Sequence, residues 1–299
     1  MPEQGIPCRD REEILTFEEI TRLVGLFAQM GVNKVRLTGG EPLVRRNIDK
    51  LVQSLAAVPG IETLAMTTNG VLLEDYAIRL KAAGLNRLNV SLDSLRPERY
   101  RAITLRDEHH RVLIGIEAAS AAGIHPLKIN VVVIRGENDD ELADFVKFAR
   151  DKQAQVRFIE YMPFKNNRWL DGSFISGAEM LDRLRMNYTL LPLDSEQNSG
   201  SVAREYRIPD HRFTVGFISA MSDHFCYGCN RLRLTADGGL KTCLFFPAEV
   251  NLRAPLREGA PDEIICKMIG NALSGKRQEH PPNEQLRASS GQNMIQIGG

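Results

Sequence analysis

The chemistry this sequence can offer lies in its cysteines, in two arginines beside them and in small residues that recur at the ends of apolar runs. Five cysteines occur in 299 residues, and Cys226, Cys229 and Cys243 fall within one window of 18 positions. A Cys-x-x-Cys pair lets two thiolates grip one metal centre from a tight turn, and Cys243 follows after 13 intervening residues. A structural zinc site would need a fourth ligand, for which His224 or Cys266 is to hand, whereas a cubane iron–sulfur cluster works with three cysteines and leaves one iron open. Spacing alone does not choose between them. A disulfide framework would use an even number of cysteines spread along the chain. Cys8 and Cys266 stand alone and read as plain free thiols.

Arg231 and Arg233 come two residues apart just after the pair. On a strand, both would project from one face beside the metal, where two guanidiniums can take phosphate or carboxylate oxygens. A solvated basic face would be written the same way. The second polar group comprises Thr38-Gly39-Gly40-Glu41-Pro42, Thr67-Thr68-Asn69-Gly70, Ser91-Leu92-Asp93 and Glu160-Tyr161-Met162. Adjacent glycines let a ligand approach the backbone and Glu41 could meet an ammonium group, yet a tight strand-to-helix turn uses the same residues. Ser91, Thr67 and Lys128 are weak signals singly, since polar residues at strand ends are usually caps or turns. Met162 alone reads as packing.

These residues are spaced by a strand–helix rhythm. Thr16 and Glu19 form a capping box ahead of a stripe of Phe17, Ile20, Leu23, Val24 and Phe27 that ends at Gly31. Short apolar runs then begin at Lys34, Thr63, Arg87, Leu127 and Val156, separated by helical patterns, which predicts five parallel strands with both sheet faces covered. A barrel or an open sheet satisfies this pattern, and either gathers its chemistry at the C-terminal ends of the strands. A further helix is expected near residues 178–184. The polar stretch DSEQNSGSVA then marks a boundary, giving units 1–198 and 199–299. In the second unit REYRI, RFTVGFIS and RLRLTADGGLKTCLF read as short antiparallel strands, with Asp237-Gly238-Gly239 as the turn that brings Cys243 back on the return strand.

Composition narrows the class. Lysine plus arginine equals aspartate plus glutamate at 38 each, which argues against a broad attraction to nucleic acid or anionic membranes but leaves room for a small anionic ligand. No apolar run approaches the roughly 20 residues needed to cross a bilayer. The polar, acidic start MPEQGIPCRDREE is unlike a signal peptide, so the cytoplasm is the expected location.

Together, KVRLTGGEPLVRR, TTNGVLL, GLNRLNVSLD, VRFIEYM, FCYGCNRLRLTADGGLKTCLF and the terminal IGG resemble the radical S-adenosylmethionine superfamily. Within it they are most similar to the GTP 3',8-cyclase (molybdenum cofactor biosynthesis protein A) family. The resemblance spans nearly the whole chain. It implies an α/β fold with an incomplete (βα)6 TIM-like barrel and a smaller C-terminal antiparallel iron–sulfur domain. It implies that GTP is converted to (8S)-3',8-cyclo-7,8-dihydroguanosine 5'-triphosphate in molybdopterin biosynthesis, a lyase reaction of radical type. By position, Gly40, Glu41, Ser91 and Met162 are expected at S-adenosylmethionine. Arg36, Thr67, Lys128, Arg231, Leu232 and Arg233 are expected at GTP, beside a [4Fe-4S] cluster held by Cys226, Cys229 and Cys243. Gly298 and Gly299 resemble a tail that threads into the active site. A homodimer, an electron donor of unknown type and hand-off to the next enzyme of the pathway are implied in the same way.

One family feature is absent from these residues. The C-x-x-x-C-x-x-C loop that holds a second [4Fe-4S] cluster, the one that cleaves S-adenosylmethionine, follows the family's first barrel strand, and Met1-Pro2 resembles the dipeptide directly after it. The expectation is therefore a barrel missing its first strand and a chain unable to make the radical as written, either because the reading frame starts upstream or because the gene is a truncated remnant. A non-catalytic homologue that holds one cluster and a purine nucleotide is the alternative reading.

Overall fold

The computed structural model describes residues 10–164, 167, 169–193, 202–209, 211–223 and 226–281; Cys8, His224, Gly298 and Gly299 lie outside them. The strand–helix rhythm is realised as α1 (Phe17–Gln29), β1 (Lys34–Leu37), α2 (Ile48–Ala56), β2 (Thr63–Thr68), α3 (Leu73–Ala82) and β3 (Arg87–Ser91). It continues through α4 (Pro97–Thr104), α5 (His109–Ala121), β4 (Leu127–Val133), α6 (Leu142–Asp151), β5 (Gln155–Glu160) and α7 (Gly177–Arg185). The capping box forms as read: the Thr16 hydroxyl accepts from the Glu19 amide at 3.2 Å, and the Glu19 carboxylate accepts from the Thr16 amide at 2.7 Å.

After α7 come β6 (Leu191–Pro192), β7 (Arg204–Arg207) and β8 (Thr214–Ile218). The main sheet has the order β1-β2-β3-β4-β5-β8-β7-β6. β1 to β5 and β8 are parallel, whereas β7 and β6 fold back antiparallel. The fold class is therefore mixed α/β as expected, with one difference. REYRI and RFTVGFIS, read as strands of the second unit, extend the first sheet, because β8 finds its partner in β5 rather than in a chain neighbour.

The two faces of that sheet differ in kind. Side chains alternate across a strand, so Met66, Leu88, Val90, Ile129, Phe158 and Phe217 line one face and pack into the main core with the helices. Their neighbours Arg36, Thr67, Asn89, Lys128, Asn130 and Arg157 share the other face through the strand register. The period-two alternation within KVRL, LKINVVV and QVRFIE gives one apolar face and one polar face, and Asn89 and Lys128 on the polar one are buried too.

Phe158 is fully buried and meets Phe145 at 6.4 Å and Phe217 at 5.9 Å between ring centroids. Phe158→Ala is expected to cost about 3–5 kcal/mol. A urea titration should show the midpoint falling; a midpoint unchanged from the parent would mean this aromatic layer does not hold β5 to the helices.

The second unit is a small antiparallel sheet of β9 (Arg233–Leu234), β10 (Gly239–Lys241) and β11 (Val250–Asn251), followed by α8 (Arg253–Arg257) and α9 (Asp262–Ser274). The β9–β10 turn uses Gly238 at φ +90°, in the left-handed region where a side chain would be strained, and its amide donates to the Thr235 carbonyl. Cys243 lies two residues beyond β10 rather than on it, and Arg231 precedes β9, so only Arg233 of the two arginines is a strand residue. Leu240, Leu252, Ile265 and Ile269 form this unit's core with Leu23, Leu26 and Phe27 of α1. The Glu19 carboxylate, besides closing the capping box, accepts from Arg257 at 2.8 Å. α1 therefore joins the two units.

Candidate functional site

Parallel strands end on one edge, and the small polar stretches gather there. Gly39 has φ +134°, a backbone that side chains rarely allow, which explains the first glycine of the pair. The Glu41 carboxylate accepts from the Leu43 amide at 3.0 Å, the Thr68 hydroxyl at 2.7 Å and the Asn69 amide at 2.7 Å. Burial pushes its pKa up, and those three donors oppose the shift. Glu41 thus stitches the loop after β1 to the loop after β2 and fixes the backbone around Gly40. Ser91 closes β3 opposite Asn130. Met162 follows β5, where its carbonyl accepts from Asn167 at 2.6 Å and that of Tyr161 accepts from Trp169 at 3.0 Å.

The polar face behind this edge is basic. Arg36 donates to the Thr67 hydroxyl at 3.1 Å. Burial, reinforced by the charges of Arg157, Arg87 and Arg231, brings the Arg36 pKa down to about 10. Lys128 and Arg157 share one counter-ion, the Glu205 carboxylate on β7, at 3.4 Å and 2.7 Å. Arg157 and Glu205 escape notice in the sequence. The signal for Arg157 was its alternation with Val156 and Phe158, whereas Glu205 reaches this face only because β7 folds back beside β8.

Burial and then Arg157 draw the Lys128 pKa down to about 8, against the pull of Glu205. The ammonium is half charged at that value, nearly fully charged a pH unit or more below it and progressively lost above it. Affinity for a polyphosphate anion is expected to be nearly level at pH 7 and to fall as pH rises through 8. Lys128→Arg should remove the step, and equilibrium dialysis between pH 7 and 10 reads the difference. The same fall in the variant would assign the titration to another group.

Cys226–Gly228 form a single 3-10 turn, and the Cys229 amide donates to the Cys226 carbonyl at 3.0 Å, so both thiols leave one turn. Lys276, just past α9, donates to the Cys229 carbonyl at 2.7 Å and the Arg231 carbonyl at 3.2 Å, with its Nζ 4.0 Å from the Cys229 sulfur. Burial alone would raise the Cys229 pKa, but the Arg231 amide and guanidinium and the Lys276 charge outweigh it and leave the thiol below its usual range. Burial and Arg231 lower the Arg233 pKa to about 10, while the charges of Cys243 and Cys229 pull it back. Arg233 thus feels both cysteine positions. Leu232, between the arginines, turns into the second core.

Among the described residues no three cysteine, histidine or acidic side chains converge as ligands of a single ion. Cys226 and Cys229 leave one turn and Cys243 follows β10, all three half-buried; a cubane would take each cysteine on a different iron. Cys266 packs against the second core on α9 and does not join them, so the recruitment of it as a fourth ligand is not seen. For the other cluster, the 299 residues contain no C-x-x-x-C-x-x-C and no other three-cysteine group, so the residues present do not fit it.

Comparison with known proteins gives the family. Residues 5–149 match the family model of the Radical SAM superfamily, and residues 154–282 match Molybdenum Cofactor Synthesis C. The chain is 43% identical over 299 residues to the mitochondrial GTP 3',8-cyclase of Arabidopsis thaliana, covering 100% of this chain and 76% of that protein. It is 44% identical to the GTP 3',8-cyclase of Moorella thermoacetica, covering 100% of this chain and 92% of that one. Molybdenum cofactor biosynthesis protein 1 of Mus musculus is 44% identical, and there the match spans 47% of the relative. In fold, the chain is similar to Streptococcus suis SuiB bound to S-adenosylmethionine, at a TM-score of 0.63 and 12% identity over 98% of this chain and 66% of that one. With identity above 40% across the whole of this chain, the chain belongs to the GTP 3',8-cyclase family of the radical S-adenosylmethionine superfamily.

Proposed function

We propose that GTP binds between the basic sheet face and a [4Fe-4S] cluster on Cys226, Cys229 and Cys243, as the substrate for 3',8-cyclisation in molybdopterin biosynthesis. One observation supports this placement most: the strand register gathers Arg36, Lys128 and Arg157 on one polar face of the parallel sheet. A triphosphate carries the charge to match it, and Arg36, Lys128, Arg231 and Arg233 are its partners, with Thr67 orienting Arg36 and Leu232 fixing the spacing of the two arginines.

The cluster, when bound, supplies an open iron for the guanine base. Gly40, Ser91 and Met162 line the edge where S-adenosylmethionine would lie, with Glu41 holding that edge in shape. Gly298 and Gly299 belong to the same reading as a tail reaching the site, and so do homodimerisation, an external electron donor and transfer of product to the next enzyme. Among the described residues no helix is long and apolar enough to cross a membrane. The reading places the chain in the cytoplasm.

Anaerobic reconstitution tests the first requirement. Iron analysis should give about four irons per chain, one cubane, together with the brown absorbance of a cluster. Zinc without cluster absorbance would overturn the reading.

A further inference from the structure

Glu160 is the last residue of β5, and its carboxylate is wholly buried. One oxygen accepts from the Gly177 amide at 2.7 Å, at the start of α7. The other accepts from the Met221 amide at 2.7 Å and the Ser222 amide at 2.9 Å, while the Ser222 hydroxyl donates to the first oxygen, the one that Gly177 also meets. Four donors from two distant segments converge on one acidic side chain. Gly177 leaves the space this needs, since a Cβ there would meet the Ser219 hydroxyl at 2.1 Å.

The position of this node in the chain gives it meaning. Two residues after Glu160 comes Met162 on the strand-end edge, and four residues after Ser222 comes Cys226. Asp223, between them, pairs with Arg204 on β7. The segment entering the cysteine turn is therefore tied to the end of β5 and to the sheet before it reaches the first thiol.

We propose that Glu160 is a positioning residue that sets the cluster-bearing turn against the strand-end edge, an inference that rests on Cys226, Cys229 and Cys243 holding a cluster. A neutral amide in its place would turn an NH2 group towards at least one of four donors, and the segment would have to move.

The test uses the full chain, reconstituted anaerobically, with Glu160→Gln. Hydrogen exchange at the Met221 and Ser222 amides should accelerate at least tenfold while β2 and β3 keep their protection. Iron release to a chelator should accelerate by a similar factor, with about four irons still loaded at the start. Faster exchange with unchanged iron release would show a purely structural role and overturn the proposal, as would no change in either. If Glu160→Gln does not fold, Ser222→Ala decides. It keeps the backbone bonds and loses only the hydroxyl bond to the carboxylate, so the chain should still fold, melting a few degrees lower, with iron release a few-fold faster; release at the parent rate overturns the proposal. If the parent chain takes up no iron, the cluster reading has failed instead. Alkylation of Cys226 and Cys229 then still compares Glu160→Gln with the parent: faster labelling supports the tether and equal labelling refutes it.

Discussion

Replacing Arg231 and Arg233 together by alanine is expected to weaken GTP binding by roughly 10²–10⁴-fold while leaving the cluster and the fold in place. The size follows from the bonds lost: a hydrogen bond to a charged group contributes about 1.5–3 kcal/mol, and two such losses make about 3–6 kcal/mol. Both arginines sit beside the cysteines, and Arg233 is buried deeply enough for its pKa to fall to about 10. In such a place a charge is tolerated only with anionic partners, and removal leaves the phosphates without theirs. Lysine at both positions should recover only part of the loss, because an ammonium cannot reproduce the two-pronged guanidinium contact. Equilibrium dialysis with labelled GTP, with iron counted on the same samples, is the measurement. An affinity within threefold of the parent would remove the two arginines from the site.

The second large effect concerns the metal. Serine at Cys226, Cys229 or Cys243 is expected to drop the iron content from about four per chain to below about one, since a cubane with two protein thiolates is not retained. Alanine at Cys266 should leave iron unchanged, because that thiol packs in the core of α9. A three-cysteine cluster predicts this pattern, whereas a zinc site recruiting Cys266 predicts metal loss in all four variants.

Much of this was legible in the sequence, for reasons that differ between elements. The helices carry their own stripes and caps, as α1 does with Thr16 and Glu19, and the five early strands are bounded by turn residues, so local chemistry located them. The edge that gathers Gly40, Ser91 and Met162 followed from parallel pairing alone. Beyond that range local signals end. Glu205 meets Lys128 and Arg157 across 77 and 48 residues, and nothing near Glu205 marks it as the counter-ion of two cations on other strands. RFTVGFIS carries the alternation of a strand but no sign of its partner, and it paired with β5. Glu160 reads as one more strand-end polar residue until Gly177, Met221 and Ser222 are folded around it. The metal, too, was open on spacing, because Cys-x-x-Cys serves zinc and iron–sulfur alike. Resemblance to the family chose iron–sulfur.

The most direct test of GTP lying between the basic face and the cluster is the electron paramagnetic resonance spectrum of the reduced, reconstituted chain, recorded with and without GTP. GTP should shift the spectrum of the [4Fe-4S] cluster, and the shift should vanish in the Arg231→Ala, Arg233→Ala double variant while its iron content stays at about four. An unchanged spectrum under conditions where dialysis shows GTP fully bound would contradict that placement, because the nucleotide would then occupy some other part of the molecule.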